Sequence, residues 1–470
     1  MALEKDYDSV MGRSNMIQKK ALGMDYDKYE LGSISFDFEK LMADVGYSVE
    51  DCAKIEAETA VGNTPLIELR NITKLAGKYA EPGKGARIFI KDEMCNASGS
   101  FKARRAAIAV HEAKKLGYKG VMAATSGNFG AAVASQAAMQ GLKCIIVQEC
   151  YDSKGIGQPE IIEKARACEA LGAEVIQLTV GPELFYKFLE VLEETGYFNA
   201  SLYSPYGIAG VETLGWEIAN QTKARTGKFP AAVVCTQAGG GMITGTARGI
   251  KKAGATKTKI IGASIDLFGL HMASDEDFNK KSCTTGHTGF GIPHASNPDI
   301  SDTPRSAARA LRYMDRYVTV TQGEVMFTTE MLANLEGLER GPAGNTCLAA
   351  AFSLAQEFPK DEIIVVAETE YTGAGKHIQP QLSFARDNGI EIRFGDPSED
   401  IPGTNLILPS SPKLIKCKDA DITHMRESLI KRALKKNAHP TKEDISFLAA
   451  ETNTDEGFVK ETIKKLLNSC

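Results

Sequence analysis

The chain has 470 residues, too many for one simple core, so two or more domains are expected. With 55 Lys and Arg against 60 Asp and Glu the net charge is −5, which excludes the basic footprint of a dedicated nucleic-acid binder. Hydrophobic residues make up 43% but never form a run of about 18 uncharged apolar positions, so no membrane span is expected.

Residues 1–60 are polar and mixed, with helical periodicity only from Phe36 to Ile55. They read as an N-terminal arm that wraps the main body or a partner subunit. Glu4, Asp6 and Asp8 stand where a secretory leader carries its apolar stretch, so a cytoplasmic chain is expected.

A regular rhythm begins near residue 87. Strands are predicted at 87–90, 120–124, 144–147 and 174–178, with helices between them at 101–116, 129–139 and 159–171. A second series has strands at 231–235, 259–265, 317–320 and 363–367, with helices ending at Lys252 and spanning 346–357. Short apolar runs alternating with helical patterns indicate parallel βαβ units. The expected fold is α/β: two three-layer αβα domains with mostly parallel sheets and a ligand site between them. Residues 61–100 and 201–395 would form the large domain, and 101–200 a smaller mobile one.

Pro397, Pro402, Pro409 and Pro412 mark 396–420 as a linker. Residues 421–470 read as a helical extension of three short helices, one opening on the capping-box-like Thr441-Lys442-Glu443-Asp444. Nine Lys or Arg against eight Asp or Glu leave this tail without the basic face of a DNA reader. It is expected to dock or to pack an oligomer.

The ten cysteines include no C-x-x-C pair, and several lie in apolar strands. They read as small hydrophobes of a reducing compartment. The 44 glycines, about 9% of the chain against an average near 7%, point to tight turns and backbone-lined sites.

Three turns carry chemistry. The first is Asn96-Ala97-Ser98-Gly99-Ser100-Phe101-Lys102. It sets Lys102 at the start of a helix, where a cation opposes the helix dipole. A dipole-opposed, partly buried lysine has a lowered pKa and becomes a better Schiff-base nucleophile. The second is Thr125-Ser126-Gly127-Asn128, between a buried strand and a helix. Its amides and hydroxyls suit a carboxylate, and Asn128 suits a ring oxygen. The plainer reading is an ordinary capped helix start. The third is Ala238-Gly239-Gly240-Gly241-Met242, whose successive amides can face one phosphate. No G-K-[ST] follows, so a nucleoside-triphosphate loop is excluded. A nicotinamide-dependent dehydrogenase using Asp266 remains as a rival, although the G-x-G-x-x-G spacing is missed.

A phosphate cup, a Schiff-base lysine and an asparagine loop are together the needs of pyridoxal phosphate with an amino-acid substrate. Gly62-Asn63-Thr64-Pro65-Leu66, the Ser-Phe-Lys turn, Thr-Ser-Gly-Asn and the glycine run occur here in one order. That order resembles the fold-type II pyridoxal-phosphate enzymes, the tryptophan synthase beta-like family, over roughly residues 60–395. The resemblance implies that Lys102 carries the cofactor and Asn128 partners its 3-hydroxyl. It implies that Ala238 to Met242 hold the phosphate and that Thr125, Ser126, Gly127 and Asn128 bind the substrate. Thr369 or Thr372 would face the pyridine nitrogen, with Thr372 preferred for its Thr-Gly turn. Glu370 and Ala103 depart from the family pattern. Within the family, the arm, Lys91-Asp92-Glu93-Met94-Cys95-Asn96 and the tail resemble catalytic beta subunits of coenzyme A-dependent thiolases from ornithine breakdown. That implies an amino-acid substrate, coenzyme A, a small alpha subunit and a beta-chain dimer within a hetero-oligomer. The expected reaction is thiolysis of 2-amino-4-oxopentanoate to acetyl-CoA and alanine. A replacing or eliminating lyase of the threonine synthase or dehydratase type is the alternative. Cys95, seven residues before Lys102, is the candidate enzyme thiol. The seven histidines show no metal-ligand spacing, and no metal is expected.

Overall fold

The predicted apolar runs become strands in the computed structural model, which describes residues 4–125, 127–151, 155–157, 159–179, 181, 183–266, 295–370 and 378–468. In chain order the strands are β1 (Leu66–Glu68), β2 (Arg87–Asp92), β3 (Gly120–Thr125), β4 (Lys143–Tyr151), β5 (Glu174–Thr179), β6 (Phe198–Asn199) and β7 (Ala232–Thr236). They continue as β8 (Lys259–Ile265), β9 (Arg316–Val320), β10 (Ile363–Glu368), β11 (Glu391–Gly395), β12 (Asn405–Pro409) and β13 (Lys418–Asp419).

Seven strands form the larger sheet in the order β1-β2-β10-β7-β8-β9-β13. The edge strands β1 and β13 run antiparallel to their neighbours, and the five between them are parallel. The central strands are buried along nearly their whole length, as continuous Val/Ile runs require when helices cover both faces. A second sheet, β5-β4-β3-β6, is wholly parallel. Its β3 is covered by the Ala-rich helix Asn128–Gln140, ten of whose residues are buried. Small side chains let that helix sit low on the sheet: a Cβ on Gly130 would meet Ile146 and Thr125 at 2.8 Å.

Glycine serves helix packing as much as turns. A Cβ on Gly215 would strike the Thr246 carbonyl, and one on Gly249 the Glu212 carbonyl. The helices Pro205–Thr226 and Gly241–Lys252 are therefore in backbone contact at these points.

The arm lies on its own chain. Tyr26, Tyr29, Phe36 and Phe38 share one buried cluster with the body and with Met425, Ile430 and Leu448 of the tail. Ser35 N–H also donates to Asp444 Oδ1 at 3.0 Å, so arm and tail touch. The tail forms the three helices Ile422–Lys436, Lys442–Thr452 and Glu456–Leu467, and the capping box at Thr441 is made with Asp444. Residues 396–420 are more ordered than a spacer. They hold β12, which pairs in parallel with β11, and β13, which closes the larger sheet. Pro409 ends β12 and Pro412 starts a short 3-10 turn, so these prolines bound elements. No helix among the described residues is long and apolar enough to cross a membrane.

Candidate active site

Three parallel strands of the larger sheet end side by side. Asp92 of β2 pairs in register with Glu368 of β10, and Cys235 of β7 with Ala367. The segments that leave those carboxyl ends are the Lys102 turn, Thr369–Glu370 and the glycine run. Ligands of open parallel sheets bind at such carboxyl ends.

The Lys102 turn is stitched to its neighbour. Phe101 N–H donates to the Thr369 carbonyl at 3.0 Å, and Ser100 bridges Glu370. Gly99 takes a φ of +71°, which turns the chain toward the helix Lys102–Lys115. Lys102 is half-buried, is the first residue of that helix, and holds its Nζ 5.4 Å from the Phe101 ring centre.

Beneath the turn lies a buried charge network. Arg104 donates to both oxygens of Glu93 and of Glu217 over 2.6–2.9 Å and reaches Glu56 of the arm at 3.4 Å. Lys91 Nζ donates to Glu217 Oε2 at 2.6 Å. Burial raises the Glu217 carboxyl, but Arg104 and Lys91 outweigh it and hold it down to about 2. Burial pushes Glu56 well above the usual carboxylate range despite Arg104. Arg104 and Lys91 thus face the carboxyl groups of Glu93, Glu217 and Glu56. The Gly62–Leu66 motif belongs here too: Asn63 N–H donates to Glu217 and Thr64 Oγ1 to Glu93. Its residues build the floor under the lysine.

In the second turn, Thr125 Oγ1 accepts from Gly127 N–H at 2.9 Å and from Gly130 N–H at 3.3 Å. The hydroxyl thereby shapes the loop and caps the helix that Asn128 opens. Asn128 is buried at 9% exposure. Ser126 lies outside the described residues.

In the third turn, Gly240 takes a φ of +87° and caps the helix Gly241–Lys252. Thr244 N–H donates to the Gly240 carbonyl at 3.1 Å and closes the first turn, so the amides of Gly241, Met242 and Ile243 have no helical carbonyl to bond. Side chains would fill the cradle: a Cβ on Gly239 would meet Tyr203 Oη at 2.8 Å, and one on Gly241 would meet Arg105 Nη2 at 2.6 Å. The sequence reading passed over Arg105. Its signal was a second arginine beside Arg104 on a helix otherwise rich in alanine.

At the end of β10, Thr369 is buried beside the lysine turn, whereas Thr372 lies outside the described residues. Glu368 was also passed over, hidden in a run that reads as strand. It is fully buried, and among the described residues neither carboxyl oxygen has a hydrogen-bond partner. Burial pushes it well above the usual range, and Asp92 and Glu370 add to the rise. Arg340 clamps Asp92 with Nε to Oδ1 at 2.8 Å and Nη2 to Oδ2. Cys95 is exposed and donates to Asp92 Oδ2 at 3.6 Å. Burial and the Asp92 charge raise its thiol pKa, the reverse of what a resting thiolate needs.

Asp266 follows β8 and lies 3.7 Å from Lys418. His271, His287, His294 and His377 lie outside the described residues. Among the described residues no group of His, Cys, Asp and Glu is placed to hold a metal.

A model of the family described as pyridoxal-phosphate dependent enzyme matches residues 57–370. A protein of Acetoanaerobium sticklandii named 2-amino-4-ketopentanoate thiolase beta subunit is 68% identical over 468 residues, covering 99% of this chain and 100% of the relative. A second of that name, from an unknown prokaryotic organism, is 62% identical and covers 99% of both chains. Cystathionine beta-synthase of Rattus norvegicus is 27% identical over 65% of this chain and 52% of its own length. The solved structure of O-ureido-L-serine synthase shares the fold, with a TM-score of 0.51 at 20% identity, covering 67% of this chain and 91% of that one. The chain belongs to the pyridoxal-phosphate dependent enzyme family, and the dehydrogenase reading of Asp266 falls with that. The residues present fit this cofactor. A glycine cradle with free amides suits its phosphate, and a half-buried lysine across the strand ends suits its aldehyde.

Proposed function

We propose that this chain is the catalytic beta subunit of a thiolase that cleaves 2-amino-4-oxopentanoate with coenzyme A to acetyl-CoA and alanine. One observation carries the reading. The likeness to the two thiolase beta subunits runs through the arm and the tail, beyond the residues that the family model matches. A small alpha subunit completes the enzyme, and two beta chains pair within it.

Pyridoxal phosphate, when bound, supplies an aldehyde that takes the substrate amine and a ring that takes up negative charge. Lys102 holds the cofactor, and its amine moves the proton at the substrate α-carbon. The loop Ala238–Met242 holds the phosphate, and Asn128 the 3-hydroxyl. Thr369 or Thr372 faces the ring nitrogen. Thr125, Ser126, Gly127 and Asn128 receive the substrate carboxylate. The thiol of coenzyme A adds to the C4 carbonyl and the C3–C4 bond breaks. The acetyl group leaves as thioester, and the electron pair left on C3 takes up a proton. The raised thiol of Cys95 favours coenzyme A itself as nucleophile.

The test combines the purified chain with the alpha subunit, supplies 2-amino-4-oxopentanoate and coenzyme A, and follows acetyl-CoA. Equal amounts of acetyl-CoA and alanine are expected. Release of ammonia and a keto acid, with no thioester formed, would move the chain to the eliminating lyases.

A further inference from the structure

We propose that Arg105 is the counter-ion of the cofactor phosphate, so that the glycine loop is a charged anion site and not one built from backbone amides alone. The proposal rests on membership of the pyridoxal-phosphate family and is independent of the thiolysis reading.

Arg105 is 4% exposed, in the first turn of the helix that Lys102 opens. Its Nη1 donates to the Leu202 carbonyl at 3.2 Å, and its guanidinium lies 5.0 Å over the Phe101 ring. Its Nε is buried without a hydrogen-bond partner among the described residues. No carboxylate among them pairs with it. Arg104, the residue before it in the chain, has three. A buried guanidinium is retained where a negative charge reaches it, because alone it bears its full desolvation cost. Burial without an acid lowers its pKa to about 10, which still leaves it charged at neutral pH.

Its position says which anion. Arg105 Nη2 occupies the space that a Cβ on Gly241 would need. It therefore lies against the first residue of the helix Gly241–Lys252, beside amides that no helical carbonyl satisfies. Lys102 stands on the same helical turn as Arg105. One small molecule that bonds to Lys102 and carries a phosphate to these amides meets both conditions, and pyridoxal phosphate is that molecule. The phosphates of coenzyme A are a second source of the same chemistry, and the test separates them.

The test is Arg105→Met, read without substrate. Binding of pyridoxal phosphate to the protein freed of cofactor is expected to weaken about 10- to 100-fold, the worth of a charge-assisted hydrogen bond. Binding of pyridoxal, which lacks the phosphate, is expected to stay level, as is binding of coenzyme A. Arg105→Lys is expected to restore part of the loss. The cofactor-free variant is expected to melt no lower than wild type, since it no longer buries an unpaired cation. An unchanged preference for pyridoxal phosphate over pyridoxal would overturn the proposal. So would a loss confined to coenzyme A. Should the variant not fold, phosphorus NMR of the wild-type holoprotein decides. A phosphate held by a fixed cation keeps one chemical shift from pH 5.5 to 8. One that titrates near its ordinary second pKa of about 6 would refute the assignment.

Discussion

Arg104 and Glu93 meet in a two-pronged ion pair, Nε to Oε2 at 2.6 Å and Nη2 to Oε1 at 2.8 Å, with neither side chain open to water. Glu93 belongs to the turn after β2, and Arg104 to the first turn of the helix that carries Lys102. The pair therefore sets the angle at which the lysine leaves the sheet. Arg104→Met leaves the carboxyl groups of Glu93 and Glu217 buried without their guanidinium partner, and is expected to cost about 3–5 kcal/mol of unfolding free energy. Arg104→Lys is expected to recover only part, because an ammonium cannot span both carboxylates as a fork does. A shift in the urea midpoint worth under about 1 kcal/mol would show that the network is dispensable.

The same network predicts an acid limb. Glu217 titrates near 2 in the folded chain, below an unfolded value of about 4.3. Its contribution is therefore complete above pH about 4.3 and is lost as pH falls through the range toward 2. Glu56, whose carboxyl burial raises, acts in the opposite sense: its contribution is complete below the unfolded value and is lost as pH rises, so it does not offset the acid limb. Glu217→Gln is expected to be less stable at pH 7 and to show a flatter stability curve between pH 5 and 3. Parallel curves for the two proteins would place the acid sensitivity elsewhere.

Lys102→Ala removes the amine at the first helical position and touches none of the Arg104 network. The purified wild-type protein is expected to be yellow and the variant to lose that colour. Its unfolding midpoint is expected to stay within about 1 kcal/mol of wild type. Turnover is expected to fall by at least about 10³-fold, the range for loss of a positioned proton carrier. A coloured and active Lys102→Ala protein would mean that another lysine does this work.

The eight expected strands, β2 to β5 and β7 to β10, were legible because each is a short apolar run bounded by glycine or charge, as at Gly120–Thr125 and Ile363–Glu368, whereas β1, β6, β11, β12 and β13 were not. The placement of Lys102, Asn128 and the glycine run at helix starts after strands was legible because local geometry dictates it. What escaped depends on contacts distant along the chain. Arg105 looked like one more helical cation until Gly241 was seen beside it, and Glu368 like the end of a strand until burial removed its partners. The prolines of 396–420 suggested a spacer because β12 makes its hydrogen bonds with β11, a pairing that no local pattern announces.

Cys95→Ser separates two sources of the attacking thiol. The side chain is exposed, and Asp92 disfavours its thiolate. Acetyl-CoA formation by the variant is expected to stay within about 3-fold of wild type. A loss of two or more orders of magnitude, with an acyl group trapped on Cys95 in the wild-type protein by mass spectrometry, would make this cysteine the carrier.

Glu451 joins the tail to the glycine loop. Its carboxylate accepts from Arg309 Nη1 at 3.0 Å and Arg312 Nη1 at 3.1 Å. Arg309 N–H in turn donates to Thr244 Oγ1 at 2.8 Å, and that hydroxyl donates to the Gly240 carbonyl at 2.9 Å. Glu451 is 2% exposed, so Glu451→Ala leaves buried cations short of a partner and is expected to cost about 3 kcal/mol. The loss is expected to be local. Amide exchange should quicken across Ile422–Leu467 and at Arg309 while β2, β7 and β10 stay protected. Because the chain of bonds ends at Gly240, the cofactor is expected to leave the variant about 3-fold faster than wild type. Faster exchange in the tail with an unchanged cofactor off-rate would mean that the tail is held by the loop without steadying it.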